Sequence, residues 1–445
     1  MIWNPEFRKN IQLELNPVKL VLMPVVIGMM FAVVYLSVDN KAPAAPPLQL
    51  AALILFAALV FVWGTKMAVE SLISEFNDRT WDSQRMTAIG PWSLAWGKLL
   101  GSSLFAWYGG LFCLLVFAAS TAAIPAAEGQ RMLKMLLFSI FAGSCIQTTM
   151  LASILTEFAK KREAAKMRVS SYSIVALLLL MQVSSFAAAA YNVQETAHWF
   201  GMDLHPFDIM LYSSLFFCLW GIVGMYRAMR KELQFESRPT VWAIFLISMM
   251  IYCAGFIPPD ATLSFADRLL ICSWISFAIA VISFYIMLLT EPKHLVDFRL
   301  IRSRAQQKNW AGLMTKIPAW LISFLLAAML CAVMLIFNAA GLADLNKEQD
   351  FFIQFSPLAL LLFCLRDIGI VLYVNFSSTK KNRDVTALFY IAILYMLVPS
   401  LLQIAEAKVL LPWFVPFIES NFINTILPVA VQAGFVLTLA WRKMR

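Results

Sequence analysis

The chain has 445 residues, 61% of them hydrophobic and only 14% charged, with a mean hydropathy of +0.75. A water-soluble protein of this length cannot bury that much apolar surface, so the solvent of most of the chain is lipid. The net charge of +9 is dealt out in small basic groups between apolar runs rather than gathered into one patch, which argues against a nucleic-acid binder.

The seven cysteines all fall inside apolar runs, with no pair at metal-ligand or redox spacing, so neither a disulfide framework nor a metal cluster is indicated. Residues Met1 to Val18 carry Glu6, Glu14 and the pairs Asn4-Pro5 and Asn16-Pro17, and lack the basic, apolar and small-residue layout of a cleaved signal peptide. From Asn4 to Leu15 the apolar residues Phe7, Ile11 and Leu15 recur every fourth position, which predicts an amphipathic helix in the membrane interface.

A first span is expected from Lys19 to Ser37 and a second from Leu48 to about Ser71. Further spans are readable at 98–120, 132–156, 171–190, 208–226, 241–257, 268–290, 318–339, 352–374, 386–403 and 421–441. The expected fold class is an all-α polytopic membrane protein of about twelve transmembrane helices.

Lysine and arginine alternate between rich and poor loops along this series. One side collects Arg8, Lys9 and Lys19, then Arg79, Arg85 and Lys98, then groups at 160–168, 227–238, 293–316, 380–383 and 442–445; the other keeps Lys41, Arg131, Lys134, Arg268, Lys347 and Lys408. The asymmetry places both termini in the cytoplasm and requires an even number of spans. The layout of lead-in, two spans, long basic loop and four spans recurs from about residue 228, so two six-helix halves, 1–227 and 228–445, are expected. No residue-level repeat accompanies it.

Between the second and third spans lies the stretch Glu75 to Lys98. Glu75 with Arg79 stands at i,i+4 and Asp82 with Arg85 at i,i+3, and Gly90-Pro91 ends the helix that these pairs suggest. The stretch reads either as a short polar helix against the membrane or as a solvated loop. Gly97-Lys98 is not a nucleotide-binding P-loop, because the preceding glycine is Gly90 and Leu99 follows where a hydroxyl residue is needed.

Other chemistry is sparse. His198 and His205 share a loop with Glu195, Asp203 and Asp208 but lack metal-helix spacing, so no metal is expected. Arg366 and Asp367 are the most deeply placed charges; they diverge by about 100° on a helix and need not pair with each other. They read either as a functional intramembrane site or as a structural lock between helices. Lys66 with Glu70 suits an interfacial i,i+4 pair, and Gln147, Gln182 and Gln403 suit interhelical hydrogen bonds.

Glu75, Arg79-Thr80-Trp81-Asp82, Arg85, Ile89-Gly90-Pro91-Trp92 and Gly97-Lys98-Leu99-Leu100-Gly101 together resemble the cytoplasmic loop between the second and third spans of ABC-transporter permeases of the type-2 exporter class. In that family an acidic residue precedes a short helix, a Pro-containing turn and a Gly-Lys that opens the third span. The lead-in Asn4 to Val18 is similar to the family's connecting helix, and Tyr191 to Pro206 falls where the family has short external helices. The resemblance is clearest in residues 1–120; such permeases usually have six spans, and this chain departs from that pattern with about twelve.

The resemblance implies a permease subunit of an exporter in a bacterial inner membrane, without catalytic activity of its own, moving an amphiphile or polymer. Its ATPase would be a separate nucleotide-binding subunit, in two copies, holding ATP and magnesium; a second permease chain is a further implied partner, and no cofactor resides in this chain. Glu75, Asp78, Arg79, Trp81, Asp82 and Arg85 would form the coupling helix, with Trp81 as its apolar anchor in the ATPase groove. The alternative is an ion-coupled secondary transporter of six plus six helices working through Arg366 and Asp367. A membrane enzyme fits worst, since no nucleophile with a base and no paired catalytic carboxylates can be assembled.

Overall fold

The structure is a computed structural model and describes residues 4–38, 43, 45–87, 89–160, 178, 182, 185, 195–235, 239–257, 264–339, 357–377, 383–415 and 422–444. The chain divides into two compact units, one of Met1–Ala197 with Asp203–Ser237, the other of His198–Met202 with Arg238–Arg445. Among the described residues, nine helices are long and apolar enough to cross a membrane. The protein is an all-α polytopic membrane protein, to which the described residues add one small hairpin, β1 (Ala197–Trp199) with β2 (Met202–Leu204).

In the first unit, α1 (Pro5–Glu14) starts where the Asn4 side chain accepts from the Glu6 amide and Pro5 occupies the first turn. It is followed by α2 (Pro17–Ser37), then α3 (Ala45–Asn77), which widens into a π-helical stretch over Ala57–Trp63. The polar connection holds two short helices, α4 (Thr80–Arg85) and α5 (Pro91–Trp96), and a second π-helical stretch, Gly97–Gly101. After it come α6 (Leu104–Thr121), α7 (Ala126–Lys160) and α8 (Pro206–Glu232). The expected third span therefore starts late, at Leu104, and the 227/228 boundary expected between halves falls inside α8.

Phe56, Phe61 and Trp107 meet edge to face at centroid distances of 5.7–6.3 Å, and Phe76 stacks on Phe158 at 4.2 Å, which fixes α3 against α6 and α7. Apolar side chains also point outward: Val33 and Leu36 on α2 are 67% and 80% exposed, an arrangement stable in lipid and not in water.

The second unit contains α9 (Thr240–Ala254), α10 (Phe265–Thr290), α11 (Leu295–Gln306), α12 (Trp310–Met314), α13 (Ala319–Ala339), α14 (Pro357–Ser377), α15 (Arg383–Ile404) and α16 (Phe422–Met444). A capping box between Ser264 and Asp267 starts α10, and α15 carries a third π-helical stretch at Ile393–Leu397. The expected span at 241–257 is a helix of 15 residues, about 22 Å long and short of the roughly 30 Å hydrocarbon core. The expected span at 171–190 lies outside the described residues, apart from Leu178, Gln182 and Ser185. The described part of the loop Tyr191 to Pro206 is the hairpin rather than short helices.

The lead-in helix departs from its sequence pattern in an informative way. Its buried residues are Glu6 and Asn10, at 4% and 5% exposure, whereas Phe7 and Ile11 are only half-buried. The polar face points inward because Gly97 and Gly101 offer a seat without side chains: a Cβ on Gly97 would lie 2.8 Å from the Glu6 Cβ, and one on Gly101 2.8 Å from the Asn10 Nδ2. Asn4 and Asn10 then donate to the Ser93 and Gly97 carbonyls at 2.6 and 3.3 Å. Gly97→Val is expected to cost about 1–3 kcal/mol through overpacking and to speed amide exchange over residues 5–14; unchanged exchange there would mean that the glycine seat does not hold α1.

Candidate functional site

The strongest polar constellation in the first unit grows from Lys98, whose ammonium is almost fully buried in the Gly97–Gly101 stretch. Its Nζ donates to both carboxylate oxygens of Glu75 at the end of α3 and stands 2.6 Å from Glu6 on α1. Lys9 adds a second cation, 3.1 Å from Glu75 and 3.5 Å from Glu6. Burial works against the Lys9 charge, but the Glu75 and Glu6 carboxylates outweigh it and hold its pKa above the ordinary lysine value. Two cations and two carboxylates thus bolt α1, α3 and the entry to α6 together.

Next to this bolt, the chain leaves α3 through Arg79, which takes a left-handed backbone at φ 59°, and turns into α4. The turn removes the helical register on which a Glu75–Arg79 pair depends, so Glu75 pairs with Lys98 and Lys9 instead. Asp82 and Arg85 do pair, at 3.4 Å. Arg85 also reaches Glu232 at the end of α8, at 3.7 Å.

Trp81 is 2% exposed, lies 5.8 Å edge to face from Phe158, and donates its indole N–H to Glu232 at 3.3 Å. Trp81, expected as the apolar anchor of the coupling helix, anchors α4 into its own unit. Asp82 on α4 is exposed, and so are Asp78 and Arg79 just before the helix and Met86 just after it. A shallow pocket opens beside it, lined by Asp82, Arg85, Met86, Leu233 and Gln234.

A separate constellation lies inside the second unit. Arg366 and Asp367, on α14, are 1% and 0% exposed. Although adjacent, they pair: Arg366 Nε donates to Asp367 Oδ1 at 3.1 Å, and Nη2 stands 3.1 Å from the same oxygen without hydrogen-bond alignment. The arginine side chain is long enough to fold back across the angle between the two Cβ bonds. Asp367 Oδ2 accepts from the hydroxyls of Tyr285 on α10 and Tyr395 on α15, at 2.8 and 3.0 Å. Arg366 Nη1 donates to Gln432 on α16 at 3.3 Å, and the guanidinium lies over the Phe363 and Tyr395 rings at 4.7 and 4.9 Å. Tyr395 itself belongs to the Ile393–Leu397 π-helical stretch, which turns its ring toward α14.

Several partners here were not singled out in the sequence as site residues: Glu6, Lys9 and Glu232 in one unit, where Lys98 was noted only for its Gly-Lys context, and Tyr285, Tyr395 and Gln432 in the other. A hydroxyl or amide within an apolar run was the available signal for the last three. Of the glutamines that were singled out, Gln147 is buried with its Nε2 unpartnered, and Gln182 and Gln403 are exposed. Lys66 and Glu70 are both exposed and are not within ion-pair distance of each other. Of the loop histidines, His205 caps α8 by accepting from the Phe207 amide, and Asp208 pairs with Lys134 at 2.5 Å. Among the described residues no group of three or more histidine, cysteine, aspartate or glutamate residues could hold a metal. No protein-family model matches this chain, and neither a curated protein nor a solved structure matches it.

Proposed function

We propose that the chain is the transmembrane permease subunit of an ATP-driven exporter of the ABC class, served by a separate ATPase subunit that binds ATP and magnesium. In this reading the chain crosses a bacterial inner membrane about twelve times with both termini in the cytoplasm. The observation that carries it is the two-sided character of α4. Asp82 and the flanking Asp78, Arg79 and Met86 are exposed, while Trp81 and Arg85 tie the inward side of the helix to Glu232 and Phe158. A force applied by a partner to the exposed residues passes directly into α7 and α8, which is what a coupling element requires. Glu75 acts from behind, through Lys98, to hold the end of α3 in place.

The test is ATP hydrolysis by the complex purified from its native membrane. Asp82→Arg combined with Met86→Asp should reduce stimulated hydrolysis at least about tenfold, a loss of about 1.4 kcal/mol of coupling, while the unfolding midpoint of the chain stays unchanged. Wild-type turnover in the variant, or a complex without ATPase activity, would remove the reading.

Asp367 supports the competing reading of an ion-coupled secondary transporter, because it is a fully buried carboxylate that accepts from tyrosines on two other helices of its unit. Transport that persists without ATP and stops when the ion gradient is collapsed would favour that alternative.

A further inference from the structure

The second unit carries a basic segment that the functional reading leaves unused. α11 follows α10 after Glu291–His294, and α13 begins shortly after α12, so α11 and α12 are tied at both ends to helices that can cross a membrane. The ties are firm. Glu291 accepts from the Ala319 amide at the start of α13 at 2.9 Å, and the buried Lys293 pairs with Asp384 at 2.8 Å. The segment is therefore held within a few residues of any bilayer surface that α10 and α13 define.

Its side chains sort into two sets. One set faces the unit: Phe298 packs on Phe376 at 5.4 Å, Arg302 lies over Trp441 at 5.1 Å, and Arg304 donates to the Gly312 carbonyl at 2.5 Å. The other faces outward: Val296, Trp310 and Met314 are 73%, 64% and 56% exposed, with Lys308 and Lys316 exposed beside them. Exposed apolar side chains, a tryptophan and lysines gathered in one short segment are the composition of a helix pair lying in a membrane interface. Arg299, Lys308 and Lys316 are exposed, and the single acidic residue between Leu295 and Lys316, Asp297, is half-buried, so the exposed charge is complementary to anionic headgroups.

We infer that α11 and α12 lie on the bilayer and bind its anionic phospholipid headgroups through Lys308 and Lys316, with Val296, Trp310 and Met314 inserted at the level of the glycerol backbone. This inference does not depend on whether an ATPase drives the protein. It makes the segment a lipid contact rather than a second docking site for a soluble partner.

The test uses the full chain. In detergent, wild type should bind dioctanoyl phosphatidylglycerol more tightly than dioctanoyl phosphatidylcholine. Lys308→Gln with Lys316→Gln should weaken the phosphatidylglycerol affinity about 25-fold, about fivefold for each lysine, and leave phosphatidylcholine unchanged. Equal binding of the two lipids by wild type, or free glycerol phosphate competing as well as the lipid does, overturns the inference. In phosphatidylcholine–phosphatidylglycerol vesicles with brominated acyl chains, the emission that Trp310→Phe removes should be quenched by the lipid and protected from aqueous iodide. Iodide quenching, or protection only when a soluble protein is added, overturns it as well.

Discussion

Lys98→Met is expected to lower the unfolding free energy by about 3–5 kcal/mol, the cost of leaving buried carboxylates without their counter-charge. The lysine is 1% exposed and, among the described residues, is the one group within 3.0 Å of both Glu6 and Glu75. Without it, Lys9 must neutralise both acids from 3.1 and 3.5 Å on a side chain that is itself 44% exposed. The measurement is the denaturant midpoint of the purified chain in detergent. Adding Glu6→Gln and Glu75→Gln to Lys98→Met should recover most of the loss, since no charge is then stranded. A loss below about 1 kcal/mol would mean that water reaches the carboxylates and that the bolt is a surface cluster.

Asp367→Asn should be comparably damaging, at about 3–5 kcal/mol, because it strands the Arg366 guanidinium inside a span while changing almost no volume. The tyrosine hydroxyls of 285 and 395 can still donate to the amide oxygen, so the loss is that of the charge and of the Arg366 hydrogen bond, whose acceptor becomes an amide NH2. Replacing Arg366 and Asp367 together by leucine should cost less than Asp367→Asn alone. A double-mutant cycle on the unfolding midpoint measures the coupling. The same variant separates the two transport readings. Intact stability with abolished gradient-driven uptake would identify Asp367 as a coupling carboxylate, whereas lost stability with normal uptake per folded molecule would identify a lock.

The apolar helices were legible because a span announces itself in a run of about twenty residues, and composition alone excluded a soluble fold. Pairings were not legible, and the reasons are specific. Glu75 and Arg79 have helical spacing, but the left-handed backbone at Arg79 ends the helix between them. Arg366 and Asp367 have the wrong spacing for a helical pair, yet a flexible side chain closes the gap. The lead-in helix was read from its apolar stripe, and its buried stripe proved to be Glu6 and Asn10, because the surface it meets is two glycines and a lysine. Periodicity reports which face avoids water. In a membrane the apolar face can satisfy that by meeting lipid, which frees the polar face to turn inward.

The π-helical stretches at Ala57–Trp63, Gly97–Gly101 and Ile393–Leu397 have a consequence of their own. Each wide turn takes up about one residue more than a regular turn, and one residue is about 100° of azimuth. The two parts of such a rod are therefore out of phase, and the part beyond the wide turn can be aimed independently of the part before it. Tyr395 and Lys98 sit within such phase shifts. Removing one residue from either stretch would rotate the polar group away from its partners while leaving the composition of the span almost unchanged, so the aim of these groups is set by counting rather than by composition.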